Sequence, residues 1–523
     1  MLAEDRKVNR TRTSATSMKD KPHSIIPGSE QDAAAESESE LSQIRKRLRL
    51  VEAQYRASEE HNKLMERQLW LTEELLQRAQ QKVQSAKRKQ LEADHYRSLL
   101  HQLRSRWFLR PFIPRRKLRP REDVFAGHWL YRGPRFEPPP ATSGLERRPH
   151  RVLVVGHLLS AMLFGSERSL LEMITALDPS RFDVFAVFPE RNERVFADLQ
   201  PNVQGIAVLD YSWWSKSRPF NEDGVLVFEE ICRRLAIDLV HANTIMLSDP
   251  LIAARRVGLP AITHARELIS RDQELAERLG GDPREIARLV CENASYLLAN
   301  SAATLADYPC GAQGSYLHNS IDPDAFDLCN VVDPTCIKVG LVSSNVPKKG
   351  ILDFVQLARE ADKRLPALHF SLVGPENDFI KQLQAGAQPL PGNFHLSGYA
   401  WRAAEAYRDL NIVVNLSLFA ESFGRTVAEA MVARRPAIAY RYGALPELID
   451  DGETGFLVPY LDLAAVLERL SFFVEKPENI TRFGEMARSR VTERCSPLLV
   501  GRTLGALYER LIGAQTVPQS THS

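Results

Sequence analysis

From Arg151 onward, short apolar runs alternate with amphipathic stretches. RVLVVGH is a continuous apolar run with a basic start, which predicts a strand covered on both faces of a parallel sheet. Gly156 ends it, and a loop runs through Phe164 and Gly165 to Ser166. ERSLLEMITALD then spaces Leu170, Leu171, Ile174 and Leu177 for the buried side of a helix, and RFDVFAVFPE reads as the next strand. This order is the unit of a doubly wound α/β fold. GIAVLD, DLVHAN, PAITHA and ASYLLANS predict further strands. A second series starts after Asp333 with the strand CIKVGLVS and the helix ILDFVQLAREAD, and continues through ALHFSLVGP, NFHLSG, LNIVVNLS and RPAIAYRYG. The pattern predicts two Rossmann-like halves, 150–332 and 333–490, hinged near Asp333-Pro334, with a helix and tail over 491–523. The cleft between the halves is the natural place for a substrate.

The chain upstream has a different pattern. Residues 1–40 are rich in Ser, Glu, Lys, Asp and Ala and predict a disordered tail. Residues 41–104 contain no proline or glycine, and one heptad frame carries Ile44, Leu48, Val51, Tyr55, Ser58, Asn62, Met65, Leu69, Thr72, Leu76, Ala79, Val83 and Ala86. That spacing predicts a coiled coil, although Ser58, Asn62 and Thr72 are weak seam residues. Such a stripe needs a partner, most simply another copy of the chain, or else the helix folds back on the globular part. Residues 105–149 form a basic-aromatic segment and linker. Within RSRWFLRPFIPRRKLRPR, Trp107, Phe108, Leu109, Phe112 and Ile113 are interleaved with arginines, and prolines at 111, 114 and 120 prevent one continuous helix. Residues 104–121 suit either an anionic membrane surface or a linker docked on the core, with nucleic acid as the weaker competitor.

Composition narrows the classes. The 68 basic and 66 acidic residues nearly balance, so global charge gives no argument for nucleic-acid binding. Six cysteines, Cys232, Cys291, Cys310, Cys329, Cys336 and Cys495, are scattered without a CxxC pair and read as reduced structural thiols. There is no apolar run of membrane-spanning length and no apolar signal core near the N-terminus, so the expected location is cytoplasmic, with a peripheral position on the inner face of the membrane left open. The absence of GxGxxG, GKS and GKT argues against NAD and P-loop chemistry. No combination of the 13 histidines with cysteines or carboxylates has metal-ligand spacing, and none of the sequence calls for a bound cofactor.

The most informative stretch is NLSLFAESFGRTVAE, residues 415–429. An apolar strand feeds a short glycine-containing loop, and the loop feeds a helix. That junction, at the carboxyl edge of a parallel sheet, is where α/β proteins bind ligands. Glu421 would sit at the strand exit. If the helix starts near Ser422, Glu429 lies two turns deeper and roughly 10 Å away. Two carboxylates so placed can accept hydrogen bonds from sugar or ribose hydroxyls. The bland alternatives are a helix N-terminal charge for Glu421 and a polar-face residue for Glu429.

Four stretches together resemble the retaining nucleotide-sugar glycosyltransferases of the GT-B class, the family 4-like group also called glycosyl transferases group 1. FGSERSLLEM resembles the glycine loop and helix of that group's first half. YLHNSIDPDAF resembles the entry to its second half, and VPKKGILDF its Lys-Gly phosphate loop. AESFGRTVAEAMVARRPAIAYRYGALPELIDDGETGFLVP matches the most distinctive block. The resemblance covers about Arg151 to Arg490. It implies a GT-B fold, two facing Rossmann-like domains with the acceptor on the first and the donor on the second. It implies transfer from a nucleotide-diphosphate sugar with retention and no required metal.

The resemblance also implies residue roles. Glu421 would contact the donor sugar near the reacting carbon, with His264 as the first-half active-site histidine. Glu429 would bind the ribose. Lys349, or Lys348 in the neighbouring register, would neutralise the diphosphate. Ser422, Phe423, Gly424 and Thr426 would approach the sugar or phosphates. Gly165 and Ser166 would form an acceptor or phosphate loop. Members of the group commonly carry an arginine shortly after the VG of the second half's first strand. Here Leu341, Val342, Ser343, Ser344 and Asn345 follow, and Arg425 is the candidate to compensate. A helical extension with a basic segment is similar to those of bacterial surface-polysaccharide transferases, which favours a glycan or lipid-linked glycan acceptor. A GT-B epimerase or hydrolase, or a scaffold with a non-catalytic GT-B domain, are the rival readings.

Overall fold

The computed structural model describes residues 128–138, 148–157, 165–211, 213–386 and 388–515. The heptad stretch 41–104, the basic segment 104–121 and both tails lie outside the described residues.

The first domain is built on an eight-stranded sheet. Its strands are β1 (Trp129–Arg132), β2 (His150–Val155), β3 (Phe182–Phe188), β4 (Gly205–Val208), β5 (Leu239–Ala242), β6 (Ala261–Ala265), β7 (Tyr296–Ala299) and β8 (Gly314–Tyr316). They lie in the order β1-β4-β3-β2-β5-β6-β7-β8. All pairs are parallel except β1 with β4. Every residue of β3 is buried, which is why its sequence is apolar on both faces rather than alternating, Asp183 excepted, whose carboxylate is paired with Arg135 at 2.6 Å. β1 and β8 are edge strands of four and three residues, too short to register as a period in the sequence.

The second sheet comprises β9 (Ile337–Val342), β10 (Leu368–Val373), β11 (Phe394–Gly398), β12 (Ile412–Asn415), β13 (Ala437–Tyr440) and β14 (Gly455–Val458). All are parallel, in the order β11-β10-β9-β12-β13-β14. The strand order reverses between β9 and β12. The loops leaving those two strands therefore diverge to opposite faces and open a crevice at their carboxyl ends. The helix Ile351–Arg364 packs Phe354, Leu357 and Ala361 on one face of this sheet. The helix Arg425–Val432 packs Val427, Ala428 and Met431 on the other.

The last two helices divide between the domains. Glu478–Cys495 places Ala487, Val491 and Cys495 in the second domain's core. Pro497–Gln515 crosses back and packs Leu504, Leu507 and Tyr508 against Val152, Leu239 and Ile262 of the first. A Cβ at Gly501 would come 1.9 Å from the Ala176 carbonyl oxygen, so this helix lies against the first domain at a distance only glycine permits. The sequence pattern placed a helix over 491–523 without showing where it docks.

One expectation is corrected. Cys291 and Cys310 form a disulfide, with 5.3 Å between their Cα atoms, rather than remaining as thiols. Cys291 lies near the end of the helix Pro283–Asn293, and Cys310 follows the helix Ala302–Ala306. Packing of these helices beside β7 brings the two cysteines together, and the 19-residue spacing carried no signal of that. Cys232 and Cys495 are buried free thiols, Cys336 is half-buried and Cys329 is exposed. Among the described residues no helix is long and apolar enough to cross a membrane.

Candidate active site

Glycine geometry brings the two loops of the crevice together. Gly350 has φ +74°, in the left-handed region, and a Cβ there would lie 1.9 Å from the Leu416 carbonyl oxygen. The close approach lets the Leu418 amide donate to the Lys348 carbonyl at 2.8 Å. The loop after β9 is thereby joined to the loop after β12. The result is an ion pair of 2.8 Å between Lys349 Nζ and Glu421 Oε1. Ser417 Oγ donates to the same carboxylate oxygen at 2.7 Å. Burial alone would push the Glu421 carboxyl up. The Lys349 charge, with hydrogen bonds from Lys349, Ser417 and Asn415, overcomes it and holds the group below the ordinary glutamate range. Lys349 and Lys348 both lie over the Phe419 ring, at 4.5 and 5.0 Å, but Lys349 is the one paired with Glu421.

The second carboxylate is held differently. The helix carrying it starts at Arg425, not near Ser422, because Gly424 adopts φ +85° immediately before it. Glu429 therefore lies little more than one turn inside the helix, not two. It is 2% exposed. Arg425 Nε donates to its Oε1 at 2.7 Å and Tyr407 OH to its Oε2 at 2.9 Å. Arg425 also reaches the first domain, where Nη2 meets Glu172 Oε1 at 2.5 Å and Nη1 donates to Ser169 Oγ at 3.1 Å. Both belong to the helix Gly165–Thr175. Burial opposes the Arg425 charge, but the two glutamates more than offset this and raise its pKa. Burial pushes Glu172 up, against the pull of Arg425.

These elements enclose a cavity of about 540 Å³. Its lining includes Ser343, Ser344, Lys348 and Lys349 from the loop after β9, and the paired Glu421. Arg425, Thr426 and Glu429 also line it, as do Val373, Gly374, Tyr399, Ala400 and Ala406. The first domain contributes Gly165 and Arg168. A Cβ at Gly165 would lie 3.3 Å from Arg425 Cδ, so this glycine lets the helix end rest on the arginine side chain.

Four expected site residues, with His264, fall outside the cavity lining. Ser166 Oγ donates to Glu167 Oε2 at 2.8 Å. Ser422 Oγ accepts from Asn300 Nδ2 at 3.0 Å, facing the first domain. Phe423 is buried in the second domain's core. Gly424 serves the turn into the helix, where a Cβ would lie 2.4 Å from Leu445 Cδ2. Arg425 does line the cavity, but its guanidinium is occupied by Glu429, Glu172 and Ser169, so it is not a free replacement for the missing arginine.

His264 is 3% exposed and sits in a polar chain. Its Nδ1 is 3.4 Å from Arg266 Nη2 and 3.1 Å from His241 Nε2, and His241 Nδ1 is 2.7 Å from Tyr508 OH. Arginine can only donate, so Nδ1 of His264 accepts and its proton is on Nε2. Burial pushes His241 down to about 3 and His264 well below the ordinary histidine range, so both rings are neutral. The buried Nε2 of His264 has no hydrogen-bond partner among the described residues, which leaves one donor at the exit of β6. Sequence reasoning missed Arg168, Glu172, Tyr399 and Tyr407. The Arg168–Glu172 pair one helical turn apart beside the glycine loop was the available signal.

Comparison with known proteins places this geometry in a class. Residues 333–490 match the family described as glycosyl transferases group 1. The described domains superpose on HepE from Anabaena, solved in complex with UDP and glucose, with a TM-score of 0.56 at 19% identity, covering 69% of this chain and all of that one. The chain has the two-domain GT-B fold and is related, through its second domain, to the glycosyl transferases group 1. Trehalose synthase of Pyrococcus horikoshii is 31% identical over 170 residues, which is 31% of this chain and 40% of that protein. The chain thus spans about two fifths of the length of the archaeal trehalose synthases it matches. The MMP alpha-(1->4)-mannosyltransferase of Mycolicibacterium hassiacum is 27% identical over 305 residues, 54% of this chain and 72% of that protein.

The interdomain arginine gives the site's first prediction. Arg425→Met should destabilise the protein by about 3–5 kcal/mol, since Glu429 and Glu172 would lose their hydrogen-bonded cation and Glu429 would keep only the 3.6 Å contact to Arg168. Urea unfolding of both proteins measures it. A shift within error of zero would show that the pairs do not carry the interface.

Proposed function

We propose that the chain is a retaining glycosyltransferase that moves a sugar from a nucleotide-diphosphate donor to a hydroxyl of a glycan or lipid-linked glycan. The observation that carries this reading is the Lys349–Glu421 pair facing the same cavity as Glu429, at the point where the strand order reverses. Lys349 and the N-terminus of the helix Arg425–Val432 suit a diphosphate. Glu429 suits ribose hydroxyls, and Tyr399 and Ala406 in the lining suit contact with a flat nucleobase. A nucleotide-bound relative such as HepE supports the same assignment.

The chemistry follows from charge placement. The bond between the anomeric carbon and the leaving phosphate oxygen breaks, and negative charge grows on that phosphate. Lys349 is positioned to stabilise it as it forms. Glu421, kept ionised, accepts hydrogen bonds from sugar hydroxyls and stabilises the positive charge developing at the ring. The acceptor oxygen bonds to the same face of the anomeric carbon, and its proton passes to the departing phosphate. In this reading the unpartnered Nε2 of His264, outside the cavity lining at the exit of β6, becomes a donor to the sugar or the acceptor only when a bound ligand extends beyond the cavity.

The acceptor assignment and a role in bacterial surface-polysaccharide synthesis rest on the N-terminal extension. In this reading 41–104 associates with a second copy and 104–121 meets the inner, cytoplasmic face of the membrane. The support is the heptad spacing and the interleaving of arginines with Trp107, Phe108 and Phe112.

Glu421→Gln keeps the shape and removes the charge. It should lower transfer by about two orders of magnitude or more with an unchanged circular dichroism spectrum. The assay is a nucleotide-sugar screen against the organism's glycan-lipid fraction, read as transferred mass. Near-wild-type transfer by the variant would remove Glu421 from the reaction, and sugar release without acceptor would favour a hydrolase. Removing residues 1–121 should reduce both the number of chains per particle found by light scattering and the binding to anionic vesicles. Unchanged values would reject the extension's role.

A further inference from the structure

The loop after β9 holds no arginine from Leu341 to Asn345, so the second domain offers the donor diphosphate one cation fewer than the resemblance leads one to expect. The cations lining the cavity are Arg168, Lys348, Lys349 and Arg425. Arg425 is held by two carboxylates and a serine, and Lys349 by Glu421. Arg168 differs. It projects from the first domain, one turn into the helix Gly165–Thr175, with a side chain 20% exposed at the cavity wall. Its ion pair, Nη1 to Glu429 Oε1, is 3.6 Å long, beyond hydrogen-bond range. That oxygen already accepts from Arg425 at 2.7 Å. The guanidinium is therefore held near Glu429 by charge while its fork of donors remains available to a ligand.

We propose that Arg168 is the second cation of the donor-diphosphate site, supplied across the cleft by the first domain in place of the arginine absent from the second. The inference rests on the donor reading above. Ribose and phosphates are adjacent in one nucleotide, so a guanidinium beside the ribose carboxylate is within a rotamer change of the phosphates. A phosphate offers Arg168 a bidentate partner better than the 3.6 Å contact. Its transfer leaves Glu429 Oε1 facing the ribose. The diphosphate is then gripped from both domains. Gly165 makes the approach possible, because its missing side chain leaves room for the helix to rest on Arg425.

The test uses calorimetry on the full chain with UDP, GDP, ADP and dTDP and with the matching nucleosides. For the diphosphate that binds best, Arg168→Ala should weaken affinity roughly tenfold or more, as expected for losing a charge-assisted contact. Nucleoside affinity should stay the same. Arg168→Lys should recover part of the loss, and added salt should weaken wild type more steeply than the alanine variant. Arg168→Gln, closer in shape, serves if the alanine variant does not fold. Equal diphosphate affinity in wild type and variant overturns the proposal. Equal loss for diphosphate and nucleoside also overturns it, since it shows a structural role. If wild type binds no nucleoside diphosphate, the donor reading itself falls, and this proposal with it.

Discussion

Arg425 carries a charge into the interior and meets two carboxylates there, one from each domain. The Arg425 and Glu429 side chains are 8% and 3% exposed, so water does little to screen them. A charge in that setting is tolerable only when paired and hydrogen-bonded. Glu429, Glu172 and Ser169 together satisfy the guanidinium, and Tyr407 satisfies the far side of Glu429. The relative position of the two helices is thereby fixed to hydrogen-bond precision. The cavity wall that includes Gly165 and Arg168 exists because this arginine holds the first domain's helix in place. The C-terminal helix, packed onto the first domain at Gly501, is a second tie between the same two bodies.

Within the second domain, the site depends on backbone approach more than on side-chain packing. Gly350 and Gly374 let loops come closer than a Cβ would allow, and Asn345, at φ +54°, is fastened by a hydrogen bond to the Pro375 carbonyl at 3.1 Å. That rigidity sets the Lys349–Glu421 distance, and the distance sets the protonation state of Glu421. A carboxylate kept ionised by a lysine suits accepting hydrogen bonds and stabilising positive charge. It does not suit donating a proton. The electrostatics of the pair thus follow from a glycine next to Lys349 and a second one, Gly374, after β10.

Much of this was legible in the sequence, for physical reasons. Buried parallel strands are mostly apolar on both faces, so β2, β3, β9 and β12 stand out, and the strand–loop–helix around Glu421 was placed by the same signal. β1 and β8 lie at the sheet edges, and their WLYR and GSY carry no continuous apolar run. The start of the helix before Glu429 was misplaced near Ser422 because the left-handed turn at Gly424 delays the helix to Arg425. Partners distant in sequence were invisible. Nothing local tells that Arg425 meets Glu172, that Tyr508 reaches His241, or that Cys291 meets Cys310. The missing arginine after β9 was visible as a gap, but nothing in the sequence told that Arg168 of the first domain lines the same cavity.

In the proposed function this cavity binds a nucleoside diphosphate between Lys349 and Glu429. An experimental structure of the full chain with the best-binding nucleoside diphosphate is the decisive measurement. Phosphates are expected against Lys349 and the N-terminus of the helix Arg425–Val432, with ribose hydroxyls on Glu429. A nucleotide bound elsewhere, or an unchanged Lys349–Glu421 pair with the cavity open to solvent at saturating ligand, would contradict it.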